Sequence, residues 1–226
     1  MLRYSMLIAV TAFASTAVAD PLFQTLPEDG VGVKFHVNIV LNGVEQVRTW
    51  QVLSVGKHAK SEEPSRWIEL HGEAYDGTPV KYKLLIPEAE FGRGKNPLGK
   101  ATQAWRRIGD QTPEKIEDFK TADVYLYTLL SGPGKNAKKL DDKKAIGWQK
   151  GNFDCDVLEG TSRLSLGVLD MTVKHRCFRH EKAPFGFVGT EQEFEVTVNG
   201  KTNHATIEAL IVDILRKPAT AFPEVR

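Results

Sequence analysis

The chain has 226 residues, of which 41% are hydrophobic and 26% charged, the composition of a globular domain rather than of a disordered segment. Its 30 Lys and Arg are balanced by 29 Asp and Glu, so the formal charge is only +1. This near-neutrality excludes the net positive field that would attract nucleic acid or an anionic lipid surface. Beyond the first 19 residues, the length suits one larger β-rich domain, residues 20–226.

The first 19 residues have the three parts of a secretory signal peptide. Arg3 provides a positive start, residues 6–16 form an apolar stretch, and Ala17-Val18-Ala19 matches the small-x-small cleavage motif. Cleavage after Ala19 would release an exported protein, either periplasmic or secreted. No Cys follows the cleavage site to carry a lipid, and no later apolar run approaches the roughly 20 residues of a membrane span, so a soluble product is expected.

Alternation of apolar and polar residues predicts a meander of four strands before residue 87. The pattern from Val33 to Leu41 marks a half-buried strand, and Asn42-Gly43 is typical of a type I′ hairpin turn. The second strand has apolar side chains on both faces, which indicates a bulge or a two-sided environment. Asp76-Gly77 is a second hairpin signal. The four strands are residues 33–41, 44–55, 68–74 and 80–86.

The apolar period changes to that of helices over residues 96–131. Asn96 and Pro97 are typical of a helix start, and Thr112-Pro113-Glu114 repeats this signal for a second helix that ends at Gly132-Pro133. Because residues 124–130 are apolar almost all round, the second helix is expected to be buried on most sides. The apolar face is formed by Leu98, Ala101, Trp105 and Ile108 in the first helix and by Ile116, Phe119, Leu126, Leu129 and Leu130 in the second.

The second half of the chain returns to the strand period. A polar, lysine-rich loop over residues 135–144 leads into it, and Asn199-Gly200 predicts a hairpin near its end. Residues 203–215 also fit a helical stripe, but the preceding turn and the β-branched residues favour a strand. The other predicted strands are residues 153–157, 164–168, 171–177 and 188–198.

Cys155 and Cys177 both lie at apolar positions of their own predicted strands. In an exported protein an even number of cysteines favours a disulfide. Such a bond would close a loop of about 22 residues and stabilise the fold by roughly 3 kcal/mol. Two buried thiols are the alternative.

The elements predict an α+β protein that is mainly antiparallel β. We expect a curved, half-barrel-like sheet of about nine strands with the two helices on its concave side. Over roughly residues 30–215 this hairpin order, with the signal peptide and the apolar central helices, resembles LolA and LolB, the periplasmic carriers of bacterial lipoproteins. The resemblance rests on no motif, so it implies a cavity for a lipid or acyl chain and transfers no functional residue.

The polar residues contain no catalytic or metal-binding motif. The six histidines form no recognised ligand pair, and no phosphate-binding glycine motif follows a strand. His175 shares a predicted face with Cys177, as a base and its nucleophile would, although a bonded or buried cysteine is the simpler interpretation. The acidic row Glu191, Glu193 and Glu195 has the pattern of a solvated sheet surface.

The sequence therefore predicts a non-catalytic, exported binding or carrier protein for an apolar or lipid-like ligand, with no cofactor and no metal. The lysine-rich loop is expected near the rim of the site. A structural or interaction protein of the cell envelope, which presents a sheet edge or the acidic row to a partner protein, is the alternative, and an exported hydrolase is the third hypothesis. The proposed ligand-binding residues are Trp105, Phe119, Leu126, Tyr82 and Trp50.

Overall fold

The computed structural model describes residues 23–225 except 59–62, 75, 93–94, 124–125, 128–129, 131, 134–136, 167–168 and 224. The predicted signal peptide, residues 1–19, lies outside the described residues. The described chain forms strands and a short α-helix, α1 (Phe119–Ala122). The strands are β1 (Val31–Leu41), β2 (Val44–Lys57), β3 (Ser65–Glu73), β4 (Pro79–Pro87), β5 (Gln103–Ile108), β6 (Glu114–Ile116), β7 (Lys138–Trp148), β8 (Gly151–Leu166), β9 (Leu169–Arg179), β10 (Phe187–Val198) and β11 (Lys201–Arg216).

These strands form one open, curved antiparallel sheet in the order β6-β5-β4-β3-β2-β1-β11-β10-β9-β8-β7. The first meander, β1 to β6, and the second, β7 to β11, are joined along one seam, where β1 pairs with β11. In this seam Val37 lies opposite Ala209 and Ile39 opposite Ile207. The two edges of the sheet are β6, which has three residues, and β7.

The second half of the sheet is strongly curled. Gln149, which follows β7, donates its backbone N–H to the carbonyl oxygen of Val212 in β11 at 3.3 Å. These two strands are four positions apart in the sheet, a separation of roughly 19 Å if the sheet were flat. The direct hydrogen bond therefore requires the sheet to bend back on itself.

Residues 117–137, the central segment, connect β6 to β7, and its described residues Phe119, Leu126, Leu130 and Pro133 lie on the concave side. At one end the Phe119 ring packs edge to face on Tyr82 of β4, with ring centroids 5.0 Å apart. At the other end Pro133 lies against β8, where a Cβ built on Gly160 would collide with the Pro133 carbonyl oxygen and lie 3.1 Å from its Cβ. Since β4 and β8 are seven positions apart, the sheet wraps around this segment.

The first predicted helix is wrong. Asn96 does cap a turn, because its side chain accepts the Gly99 N–H at 3.2 Å, but that turn is a short 3-10 helix, Pro97–Lys100. The chain then continues as β5, which pairs with the open edge of β4. Ala104 faces the concave core while Trp105 faces the other side, so pairing at a free sheet edge decides the conformation over the helical spacing.

The second predicted helix is replaced at its start by β6. The described helical residues of the central segment are α1 together with Leu126, Tyr127 and Leu130. The two central helices are thus not confirmed, and the structure is mostly antiparallel β. The apolar side chains predicted to be buried here are buried, since Phe119, Leu126 and Leu130 are all in the main core.

The prediction of a lysine-rich loop is also wrong, because residues 138–148 form the edge strand β7. Its lysines are exposed and pair across the strands, with Lys139 Nζ 2.8 Å from Asp156 and Lys143 Nζ 3.7 Å from the same carboxylate. Charged side chains are common on edge strands because they discourage further pairing. With β5, β6 and β7 added, and β8 running unbroken where two strands were predicted, the sheet has eleven strands instead of nine.

The strand predicted over residues 203–215 is confirmed as β11, and its helical appearance has a structural cause. Ile211 lies opposite Phe35, but the register then shifts by one residue, so that Ile214 lies opposite Val33. This bulge keeps both isoleucines on the inward face although they are three residues apart. A bulged strand therefore shows the spacing of a helix.

The contact between Gly160 and Pro133 can be tested by adding a methyl group. We expect Gly160→Ala to lower the free energy of unfolding by about 1–3 kcal/mol, because the new Cβ overlaps backbone atoms of the central segment. Gly147→Ala is the matched control, since its Cβ would meet the Asn152 Oδ1 at 3.2 Å, the end of a side chain that can rotate away. Urea unfolding of both variants measures the difference, and equal effects would contradict the packing described.

Candidate functional site

The concave side brings together four of the five predicted ligand-binding residues. Trp50 from β2, Tyr82 from β4, and Phe119 and Leu126 from the central segment are all buried in one main core. In the strands, such inward-facing residues alternate with outward-facing ones, and Trp50 lies opposite Phe35 on the same inward face. The site is therefore a sheet surface of aromatic side chains with a separate apolar segment packed onto it.

Trp105 is not part of this group. It lies opposite Lys83 in the register of β4 and β5, whereas its neighbour Ala104 lies opposite the inward-facing Leu84. Trp105 thus points to the outer, convex face, where it packs with Trp67 and Phe222. The helical spacing that grouped it with Leu98 in the sequence does not exist in a strand.

Two hydrogen bonds, which we call the latch, tie the central segment down at the β4 end. The Tyr82 hydroxyl donates to Asp123 Oδ2 at 2.9 Å, and the Asn96 side-chain amide donates to the Tyr127 hydroxyl at 2.6 Å. Asp123 also accepts the Leu126 N–H at 2.8 Å. Burial raises the pKa of Asp123, and these hydrogen bonds only partly oppose it. A single acidic residue between apolar neighbours was the sequence signal for the latch.

Sequence reasoning also missed a polar row across β8, β9 and β10, which consists of Ser162, His175 and Gln192. His175 lies opposite Gly160 on one side and Gln192 on the other, and its Nε2 is 2.9 Å from the Ser162 hydroxyl. Only 1% of His175 is exposed, and within the described part of the chain its Nδ1 has no hydrogen-bond partner. Burial lowers the pKa of His175 to about 4, so the imidazole is neutral at physiological pH.

The disulfide favoured for the cysteines is not found. Cys155 and Cys177 are free and both are buried, so the alternative of two buried thiols is confirmed. Cys177 lies opposite Leu158, three residues from Cys155, and since facing residues share a side of the sheet, the two thiols point to opposite faces. The hydrogen bond of His175 goes to Ser162, and burial raises the pKa of Cys155 to about 11, so neither cysteine has the setting of an activated nucleophile.

A second buried site lies on the convex face, beneath residues 217–225, which we call the strap. The fully buried Glu69 of β3 accepts the Ala221 N–H at 2.9 Å and also the Thr220 hydroxyl. Lys83 of β4 donates to the carbonyl oxygens of Val225 at 2.7 Å and Phe222 at 3.3 Å. The two charged side chains therefore satisfy backbone groups of the strap, which crosses the strands and cannot join their hydrogen-bond ladder.

The chemistry of Glu69 is explained by this setting. Burial acts to raise the pKa of its carboxyl, but hydrogen bonds from His71, Thr220 and Ala221 hold that pKa below its usual value. His71 Nε2 is 2.9 Å and Lys83 Nζ 3.9 Å from the carboxylate. Glu69 is thus an ionised anchor of the strap.

The acidic row on the outer face of β10 is largely paired. Glu191 contacts Arg176 at 3.2 Å and also forms an ion pair with Lys144, while Glu193 lies 3.4 Å from Lys174. This is the cross-strand charge pairing of a solvated sheet surface. Within the described ranges, no three His, Cys, Asp or Glu side chains are placed to hold a metal ion. In that same part of the chain, no helix has the length and hydropathy needed to cross a bilayer.

No protein-family model matches the chain, and no curated protein sequence matches it. Similar solved structures include a "putative lipoprotein" from Parabacteroides distasonis, with 12% identity, a TM-score of 0.39, and 87% of this chain and 99% of that chain covered. A DUF1329 family protein from Desulfovibrio piger has 10% identity, a TM-score of 0.36, and coverage of 87% and 89%.

A third similar structure is a "putative outer membrane lipoprotein-sorting protein domain" from Vibrio parahaemolyticus, with 11% identity, a TM-score of 0.32, and coverage of 84% and 87%. The similar structures thus include a lipoprotein-sorting domain, and the weak resemblance to LolA-like exported proteins expected from the sequence is found. With TM-scores below 0.4 it carries no argument about function, which has to be argued from the residues of this chain.

The neutral, buried His175 predicts a specific sensitivity to acid. In the unfolded chain a histidine has a pKa of about 6.5, so between pH 6.5 and about 4 the unfolded state binds a proton that the native state does not. The native state should therefore lose about 3 kcal/mol of stability as the pH falls through this range. We expect His175→Gln to remove this loss, as measured by urea unfolding near pH 7 and near pH 4.5.

The control for His175 is His36→Gln, because His36 is exposed on β1. That variant should keep the acid sensitivity of the unsubstituted protein. A His175→Gln protein that loses stability with falling pH as steeply as the unsubstituted protein would contradict the burial argument.

The strap is expected to contribute to the stability of the whole sheet. Phe222 is fully buried and lies beneath the Arg107 guanidinium, 5.1 Å from the ring centroid. Phe222→Ala should lower the free energy of unfolding by about 3 kcal/mol and shift the tryptophan fluorescence to the red, since Trp67 and Trp105 lose their cover. Val44→Ala, at a 62% exposed position, is the control and should change stability by less than about 0.5 kcal/mol.

Proposed function

We propose that this chain is an exported, non-catalytic carrier that binds an apolar or lipid-like ligand on the concave face of its sheet. The ligand would occupy the space now filled by apolar side chains of the central segment. The observation that carries this proposal is the composition of the main core: one wall is a fixed sheet, and the other is a connecting segment held to that sheet by side chains and a few polar bonds.

The exchange of segment for ligand is energetically reasonable. Phe119, Leu126 and Leu130 bury their side chains against the sheet, and each such burial is worth about 1.5–3 kcal/mol. An alkyl chain in the same place would bury equivalent apolar area on Trp50 and Tyr82. The hydrophobic gain is thus largely conserved when the ligand replaces the segment, and the net affinity depends on what the segment loses on leaving.

The latch sets that cost. Each of its hydrogen bonds contributes about 1 kcal/mol, and the Asp123 carboxyl group gains hydration when it leaves the core. The polar ties are therefore strong enough to keep the empty carrier closed and weak enough to be given up for a ligand. Conversely, a segment that had to remain in place would be better held by apolar contacts than by a buried acid.

The other two hypotheses receive less support from the geometry. A hydrolase would need a hydroxyl, a histidine and an acid in one site, with the histidine able to activate the hydroxyl. Among the described residues, no carboxylate orients His175. His71, Glu69 and Thr220 do meet on the convex face, but there the hydroxyl donates to the carboxylate and not to the histidine. An envelope protein that docks through its acidic row would need unpaired acids, and Glu191 and Glu193 are already in ion pairs.

Two measurements test the carrier. Native mass spectrometry of the protein purified gently from its source should show a bound mass of lipid size, and a fluorescent fatty acid should bind saturably to the delipidated chain. A protein that is isolated without ligand and binds no such probe would contradict the proposal.

The latch also gives a quantitative expectation. Tyr82→Phe removes the hydrogen bond to Asp123 and keeps the aromatic ring, so the closed state should lose about 1 kcal/mol. Because a ligand binds the open state, its apparent affinity should rise about fivefold. Probe titration measures this change.

The control is Thr197→Val, which removes an exposed hydrogen bond of 2.9 Å to Thr202 in the β10–β11 hairpin. This variant should leave the probe affinity unchanged. An unchanged or weaker affinity in Tyr82→Phe would show that the central segment does not compete with the ligand.

A further inference from the structure

The polar row lies on the concave face beside apolar side chains. On the same side, Val173 next to His175 and Phe194 next to Gln192 are apolar and buried, whereas the other neighbour of Gln192, Thr190, is a buried residue whose hydroxyl donates to the Arg176 carbonyl at 3.1 Å. The buried His175 and Gln192 and the half-buried Ser162 thus place three hydrogen-bonding side chains side by side next to the main core. Polar groups are retained in such positions when they have partners, so the row needs an explanation.

His175 is not fully satisfied in the closed protein. Its Nε2 is engaged with Ser162 at 2.9 Å, but its Nδ1 is buried and has no partner among the residues that the structure describes. If the serine donates to Nε2, then Nδ1 carries the hydrogen and is an unused donor; if the serine accepts, Nδ1 is an unused acceptor. A hydroxyl group would satisfy either tautomer, and a carbonyl oxygen would satisfy the first.

The central segment covers this part of the sheet. Gly160, directly opposite His175 on β8, has no side chain, and the space above it is taken by the carbonyl of Pro133. The segment that leaves in the proposed carrier cycle therefore begins over the aromatic residues of β4 and ends beside the polar row. Its departure would expose an apolar surface at one end and an unsatisfied imidazole at the other.

We infer that the polar row is a head-group subsite, in which His175 and Ser162 hydrogen-bond a neutral hydroxyl, ester or amide group of an amphiphilic ligand whose apolar tail lies towards Trp50 and Tyr82. This inference rests on the proposed function and deepens it. The row has no formal charge, since His175 is neutral and the other two members are a hydroxyl and an amide. A carboxylate head would give up its water without meeting a cation in the row.

Competition against a fluorescent apolar probe tests the subsite with the full chain near pH 7.5. The competitors are 1-dodecanol, with a neutral hydroxyl head, 1-chlorododecane, with the same tail and no hydrogen-bonding head, and dodecanoate. The readout is the affinity ratio of dodecanol to chlorododecane, because it cancels the contribution of the tail. We expect His175→Leu to lower this ratio about tenfold while the affinity for chlorododecane changes less than about twofold.

Two further variants complete the design. Ser162→Ala should lower the same ratio by a smaller factor, and it provides the readout if His175→Leu does not fold. Phe194→Leu, an apolar change beside the row, should alter both affinities alike and leave the ratio unchanged.

The possible results distinguish a failure of the head-group subsite from a failure of the carrier function. If all competitors displace the probe but neither His175→Leu nor Ser162→Ala changes the ratio, the subsite is overturned and the carrier stands. If dodecanoate is preferred over dodecanol and His175→Leu removes that preference, the head group is anionic and the neutral class is wrong. If the unsubstituted chain binds neither probe nor competitor, both the carrier and its subsite are overturned.

Discussion

The pairing of β1 with β11 is the interaction on which the rest of this structure depends. It joins two meanders that are each consecutive in sequence, and it does so between residues about 170 apart, such as Val37 and Ala209. Without it, each meander would expose the long edge of a central strand and half of an inward apolar face. With it, one continuous sheet is formed that is wide enough to curl around the central segment. The strap also begins here, because the Lys217 N–H binds the Gly30 carbonyl at 2.6 Å directly after β11.

The sheet that is joined at this seam has two faces, and a different part of the chain packs on each of them. The concave face receives the central segment, whose contacts are mostly apolar. The convex face of β3 and β4 receives the strap, which is held by Glu69 and Lys83 through hydrogen bonds to its backbone. Removal of either charged partner would leave the other buried and uncompensated, which costs several kcal/mol. The strap is therefore built as a permanent part of the fold, in contrast to the central segment.

Sequence patterns predicted those parts of the fold in which neighbouring strands are joined by tight turns. The meander β1 to β4 and the hairpin at Asn199-Gly200 follow from local alternation and turn chemistry. The failures share one physical cause: tertiary pairing and burial on both faces. Trp105 looked helical because a strand covered on both sides is apolar on both, and the lysine-rich residues of β7 looked like a loop because an edge strand carries charge.

The same cause limited the prediction of the site. The sequence pattern identified apolar residues that the structure buries in one core, because hydrophobic periodicity predicts burial. These residues are Tyr82, Phe119, Leu126 and Trp50. His175, by contrast, was weighed against its nearest companion on the same strand, Cys177, whereas its partner in the structure is Ser162 across the β8–β9 pair. Cross-strand partners depend on register, and the register of two long strands joined by a short connection is not encoded in either strand alone.

The closed protein carries two costs that a purely structural core would avoid. Burial raises the pKa of the half-buried Asp123, and the Nδ1 of the buried His175 has no partner among the described residues. Both groups also lie where the central segment meets the sheet, one near each of its ends. Local departures from good packing that gather at one interface are what an interface that opens would show. In the proposed carrier the polar atoms of the concave face would have complementary roles, since Asp123 would lower the cost of releasing the segment and His175 would offer a hydrogen bond to the ligand.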